Sequence, residues 1–234
     1  MSKNAINTVR PNSLFSNFSP QTPEQEEALR TFRNMADTIV SNEASFGHSG
    51  SPFTDGSLWV VSGKPGTGKT HLLEALINEV VSRAPSLRSQ MYLLRDSLTR
   101  HGVGTGIHDY SVDSKPIIFI DDAFADHHSV ETLHVRTDLQ ILMSLITYVY
   151  ESRSLCLVTT NFPFLNGILP RIKEADPVGR IYSRCQEILV ARAGEMEIKG
   201  PDYREIIAIQ TLAERGRKMP TVGLLSVPRP GGNS

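Results

Sequence analysis

The segment Gly63-Lys64-Pro65-Gly66-Thr67-Gly68-Lys69-Thr70 has the residue types and spacing of a loop built to hold phosphate, G-x-x-x-x-G-K-[ST]. Glycines let successive backbone N–H groups turn inward as an anion nest, without Cβ clashes. A helix starting at Lys69 adds the partial positive charge of its N-terminus. The Lys69 ammonium then reaches the β- and γ-phosphates, and the Thr70 hydroxyl takes a Mg²⁺ position. A second cluster follows at Ile117-Ile118-Phe119-Ile120-Asp121-Asp122, where an apolar run delivers two carboxylates to its end. Asp121 suits a Mg²⁺ held through water, and Asp122 an acid that orients or polarises an attacking water. A third run, Leu157-Val158-Thr159-Thr160-Asn161, ends in a side-chain amide able to touch both a γ-phosphate and that water.

These groups work together only if strands and helices bring them to one edge. Leu58–Ser62 reads as a short strand ahead of the glycine loop, and Lys69–Arg83 as a helix burying Leu72, Leu73, Leu76, Ile77 and Val80. Met91–Leu94, Ile117–Asp121 and Ser154–Thr160 read as further strands. Residues 130–152 read as a long helix, Pro177–Leu189 as another, Met196–Lys199 as a strand and Arg204–Glu214 as a final helix. Continuous apolar strands alternating with helices imply an α/β fold, a parallel sheet with helices on both faces. Thr22-Pro23-Glu24-Gln25 opens a helix ahead of it, with Thr22 as N-cap, Pro23 at the first position and Gln25 closing a capping box. Residues 1–20 read as an N-terminal tail anchored by Phe15 and Phe18, residues 21–215 as one domain built around the phosphate loop, and 216–234 as a flexible tail.

Composition bounds the partners. The 234 residues carry 24 Lys+Arg against 25 Asp+Glu, a net charge of -1, so a polybasic mode of nucleic-acid binding is excluded and DNA contact needs a local patch. Arg83, Arg88, Arg95, Arg100 and His101 form a dilute basic set best read as a solvated face. Two cysteines, Cys156 and Cys185, point to buried thiols in a reducing compartment. His127-His128 lack partners at metal-binding spacing. With no apolar leader and no apolar run of ~18 residues, the expectation is a cytoplasmic protein away from membranes.

Taken together these segments resemble the AAA+ ATPases of the DnaC/IstB clade, bacterial or phage helicase loaders and insertion-sequence ATP-binding proteins. The resemblance rests on Phe15-Ser16-Asn17-Phe18 with Gln25, Ala28 and Leu29, on Gly68-Lys69-Thr70-His71-Leu72, on Thr160-Asn161-Phe162-Pro163-Phe164, on Ile181-Tyr182-Ser183-Arg184, and on Gly200-Pro201-Asp202-Tyr203-Arg204. It implies an AAA+ P-loop NTPase core with little or no C-terminal lid domain, and ATP and Mg²⁺ as cofactors. Gly63, Pro65, Gly66, Thr67, Gly68, Lys69, Thr70 and His71 would cradle the nucleotide. Lys69, Asp121, Asp122, Asn161, Arg184 and Arg204 would serve hydrolysis, with Thr70 and Asp121 at the metal. In these terms Asn161 is sensor 1, Arg204 is sensor 2, and Arg184 is an arginine finger given to a neighbouring copy, Arg180 being its competitor one turn earlier. The implied partners are a replicative helicase or another DNA-bound machine, single-stranded DNA, with duplex DNA as the alternative, and further copies of the chain. Other readings of the same motifs are a transposition helper on duplex DNA, a superfamily-3-like motor, and a low-turnover nucleotide-binding module. Two departures stand out: only about 60 residues precede the phosphate loop, and Arg95–Asp113 is short and glycine-broken where related proteins place a DNA-contacting insertion.

Overall fold

The computed structural model describes residues 5–46, 56–95, 116–125, 127, 129, 138–190, 195–205 and 209. Five parallel strands, β1 (Ser57–Ser62), β2 (Met91–Arg95), β3 (Ile117–Asp121), β4 (Leu155–Thr160) and β5 (Glu195–Glu197), form one sheet in the order β2-β3-β4-β1-β5. The helices are α1 (Pro23–Ser41), α2 (Lys69–Arg83), α3 (Asp138–Ser152), α4 (Leu169–Ala175) and α5 (Arg180–Val190).

Side chains alternate across a strand, so odd and even positions face different layers. Leu58, Val60, Ile118, Ile120, Cys156 and Val158 pack with α3, α4 and α5. Val61, Leu93, Ile117, Phe119, Leu155 and Leu157 pack with α1 and α2 on the other face. This confirms the parallel sheet with helices on both faces. The same parity carries past the apolar run: Arg95, Asp121 and Thr159 continue the odd positions of β2, β3 and β4, so all three face α2 at the carboxyl edge.

Several boundaries differ from the sequence reading. Residues 130–137 of the expected long helix lie outside the described residues, as do most of the expected last helix, the region of a lid, and 210–234. After β4 the chain makes a π-helical turn (Phe164–Ile168) running into α4, neither of which the apolar pattern had indicated. Thr22 caps α1 by accepting from the Gln25 N–H at 3.2 Å, but the Gln25 amide oxygen accepts from Gln21 N–H at 2.7 Å rather than from the cap residue itself.

The segment ahead of α1 crosses the outer face of α2. Ile6 is buried against β2, Asn78 donates to the carbonyls of Arg10 and Ser13 at 2.8 and 2.9 Å, and Phe15 and Phe18 are buried. As a result α2 is buried all round from Leu72 to Ile77. Gln25, fully buried, ties α1 to the phosphate loop by donating to the Thr67 carbonyl at 3.3 Å. Gln25→Leu should strand that carbonyl and the Gln21 N–H, at a cost of about 1–3 kcal/mol. A fall in the urea midpoint at unchanged slope would show it.

Candidate functional site

A cavity of about 740 Å³ opens at the carboxyl edge of the sheet, lined among others by Gly66, Gly68, Lys69, Thr70, Asp122 and Asn161. Its floor is the turn between β1 and α2. Gly66 and Gly68 adopt left-handed φ of 79° and 101°, the conformation in which successive loop N–H groups can form an anion nest. Neither position has room for a side chain. The Asp202 carboxylate fills the space at Gly66, and the Phe18 ring stands 2.5 Å from where a Cβ on Gly68 would sit. The loop is pinned further by Tyr203 N–H donating to the Gly66 carbonyl at 3.0 Å, and Tyr203 O–H to the Ser19 carbonyl.

Lys69 Nζ donates to the carbonyls of Gly63 and Lys64 at 2.7 and 2.9 Å and to Asn161 Oδ1 at 2.9 Å. The Asn161 amide then donates to Asp122 Oδ1 at 3.0 Å. Thr70 and Thr159 hydroxyls both donate to Asp121 Oδ1 at 2.9 Å, and Asp122 N–H donates to Thr159 Oγ1 at 2.8 Å. Asp122 itself has φ of 57°, an uncommon left-handed conformation for a residue with a side chain; it turns the chain sharply off β3. The turn that carries Asn161 is braced by Glu195, which accepts from the N–H groups of Phe164 and Leu165 at 2.7 and 2.8 Å and from Ser62 Oγ at 2.9 Å.

Thus Lys69, Thr70, Asp121, Asp122 and Asn161 form one hydrogen-bonded cluster beside the phosphate loop. Pro65 and His71 line the cavity, and the His71 ring bonds the Leu14 carbonyl at 3.0 Å through Nε2. Thr67 is buried, its hydroxyl donating to the Lys64 carbonyl at 2.9 Å. Arg204 is exposed, lines the cavity and acts on Lys69 electrostatically; its N–H is capped by Asp202 Oδ1 at 2.8 Å. Arg184 does not line the cavity. It pairs with Glu151 at 3.0 Å and lies 4.9 Å over the Tyr150 ring, while Arg180 is exposed at the start of α5.

Thr70 and Asp121 offer hard oxygen donors side by side, the type Mg²⁺ prefers. Among the described residues no group of three or more His, Cys, Asp or Glu could enclose a metal. The pair therefore fits an ion that keeps most of its shell as water and phosphate oxygen.

Burial pushes the Lys69 ammonium down to about 8, against the upward pull of Asp122 and Asp121 and with a further downward push from Arg204. Burial pushes the Asp121 carboxyl up, opposed by the hydroxyls of Thr159 and Thr70 and by Arg95. Burial also raises both cysteine thiols, Cys185 to about 12, so neither is a nucleophile at neutral pH.

Sequence reasoning missed two members of this neighbourhood. Glu74 sits on what helical periodicity makes the outer face of α2, yet it is fully buried because the N-terminal segment covers it. Its signal was a lone charge within an apolar run. Arg95 is not part of a solvated face: its side chain is 25% exposed and bonds Glu74 Oε1 at 2.5 Å. Parity along β2 would have aimed it at α2. Arg83 and Arg88 are instead held on the surface by Asp37 and Asn7, and residues 100 and 101 lie outside the described residues.

A loop-and-helix phosphate nest, with an acidic strand end beside it on a parallel sheet, defines a P-loop nucleotide-binding protein of the AAA+ type. A model of the ATPase family associated with various cellular activities (AAA) matches residues 59–178, just over half of the chain, and the protein belongs to that family. The replicative helicase loader DnaC of Escherichia coli (strain K12) is 32% identical over 85 residues, 36% of this chain and only 29% of DnaC. The crystal structure of DnaI matches with a TM-score of 0.53 at 18% identity, covering 86% of this chain and 94% of that one. A crystal structure of the DnaC helicase loader matches at 0.50 and 20% identity, covering 80% and 97%. At these identities the structural matches are likenesses of fold.

If Lys69 serves anion binding, its lowered pKa has a consequence of definite sign. Above pH ~8 the free protein must take up a proton to bind a nucleotide, so affinity for an ATP analogue should be flat from pH 6 to 7 and then fall by up to about tenfold per pH unit. Lys69→Arg, which stays charged, should remove that dependence. Equilibrium binding across the pH range checks both.

Proposed function

We propose that the protein is an ATP-hydrolysing assembly factor of the helicase-loader kind, acting on a replicative helicase and single-stranded DNA. The observation that carries the ATPase reading is the continuous bonded cluster from Lys69 through Asn161 to Asp122, with Thr70 and Asp121 joined beside it. Lys69 exchanges its carbonyl partners for phosphate oxygens, and the N–H groups of the loop and of the start of α2 hold the β-phosphate. Mg²⁺ held by Thr70 and, through water, by Asp121 would neutralise charge on the β- and γ-phosphates. Asp122, kept in place by the Asn161 amide, orients the attacking water. Arg204 adds a permanent cation at the cavity wall.

Arg184 lies outside its own chain's cavity, which favours a role on the site of a neighbouring copy. Freeing it there requires giving up Glu151 and Tyr150, an exchange a triphosphate would reward more than an exposed ion pair does. Hydrolysis would then depend on self-association. The loader form of the reading rests on similarity to DnaC, which covers little of that protein's length, and on the fold shared with DnaI and DnaC.

Lys69→Ala should lose ATP binding. Arg184→Ala should keep binding and lose turnover by about a thousandfold, the lower range for an arginine finger. Unchanged phosphate release in both variants would contradict the ATPase reading. Anisotropy of labelled single-stranded and duplex DNA, at fixed salt with and without a non-hydrolysable ATP analogue, tests the partner. Nucleotide-dependent preference for single strands supports the loader; preference for duplex favours a transposition helper, and binding to neither removes the DNA reading.

A further inference from the structure

Glu74 is a fully buried carboxylate on the helix that follows the phosphate loop, and it is bonded from two directions. Its Oε2 accepts from Arg10 Nε and Ser13 Oγ, both at 2.6 Å, both in the N-terminal segment. Its Oε1 accepts from Arg95 Nη2 at 2.5 Å. The second arm of the same guanidinium, Nη1, stands 3.8 Å from Asp121 Oδ2, the oxygen opposite the one bonded by Thr70 and Thr159. One cation therefore lies between two buried acids, closer to the one that has no place in the nucleotide cluster. Burial alone would raise the Glu74 carboxyl, but the bonds from Ser13, Arg95 and Arg10 outweigh it and hold Glu74 below its ordinary value, ionised.

We propose that Glu74 and Arg95 are positioning residues: Glu74 holds the Arg95 guanidinium off Asp121, and so sets how strongly the strand-end site binds the divalent cation of the nucleotide. The proposal rests on Asp121 serving that cation. A guanidinium and a divalent ion compete for one carboxylate, because each lowers the attraction left for the other. Held by Glu74, Arg95 keeps Asp121 aimed at α2 without closing on it. Without the Glu74 charge, the nearest buried anion for Arg95 among the described residues is Asp121, and a close bidentate pair there would displace metal. Arg10 and Ser13 share Glu74 with Arg95, so the docked N-terminal segment is part of the same balance and links residues 10–13 to the metal side of the site.

The test is equilibrium binding of a fluorescent non-hydrolysable ATP analogue, titrated with Mg²⁺ and repeated in EDTA, on the full chain. Glu74→Gln should raise the Mg²⁺ concentration for half-maximal enhancement by about tenfold, with affinity in EDTA unchanged. Adding Arg95→Met in that background should return the Mg²⁺ dependence to the wild-type value or below. Arg95→Met alone should lower it, a gain that loss of packing would not give and that keeps the test intact if Glu74→Gln folds poorly. Circular dichroism reports folding for each variant. Metal-dependent wild-type binding with unchanged Mg²⁺ dependence in Glu74→Gln and Arg95→Met overturns the proposal alone. Wild-type binding that ignores Mg²⁺ overturns both the proposal and the metal reading of Asp121.

Discussion

The phosphate loop can present its N–H groups only while Gly66 and Gly68 hold left-handed conformations, and the rest of the molecule converges on keeping them there. Asp202, from the C-terminal end of the described chain, lies over Gly66, and Phe18, from the N-terminal segment, lies over Gly68. Tyr203 links the two by bonding Gly66 and Ser19 while its ring sits 5.5 Å from that of Phe18. Gln25 closes the circuit from α1 through the Thr67 carbonyl, and Thr22 donates to the Lys199 carbonyl at 2.6 Å. A loop of glycines is entropically expensive to order. Here it is clamped by segments at least forty positions away in sequence, so its geometry depends on the whole core being folded.

The second organising feature is strand parity. The alternation that buries Phe119 and Leu157 against α2 also aims Asp121, Thr159 and Arg95 at that helix, where Thr70 and Glu74 stand one turn apart. Thr70 meets Asp121, and Glu74 meets Arg95. The apolar layer and the polar edge are thus one pattern continued beyond the last hydrophobic residue. Because these carboxylates are buried, each must be matched by hydroxyls or guanidinium groups, and the matching fixes their directions before any ligand arrives.

Most of this architecture was legible in the residues. The glycine loop, the apolar strands and the acidic strand end are local signals, each read from fewer than ten consecutive positions. What escaped was set by long-range cover. The N-terminal segment has no period, since Ile6, Phe15 and Phe18 dock as separate anchors; without it, Glu74 looks solvent-facing. Arg95 looked like surface charge because its acidic partners among the described residues come from α2 and β3. The short helix α4 follows a proline break and a π-helical turn, with Pro170 near its start, and its few turns offered too little periodicity to separate it from a loop. Arg184 is the reverse case: only the resemblance of its sequence segment singles it out, while its surroundings in one chain are an ordinary ion pair and an aromatic ring.

In the proposed function Thr70 and Asp121, beside the loop, hold a divalent ion bound to the nucleotide. Electron paramagnetic resonance of Mn²⁺ substituted for Mg²⁺, with a non-hydrolysable ATP analogue and protein, tests it most directly. The expected result is protein-bound Mn²⁺ coupled to phosphorus-31 nuclei, with the bound signal weakened in Thr70→Val and in Asp121→Asn. Mn²⁺·nucleotide that stays free in solution, or a bound signal indifferent to both substitutions, would contradict it.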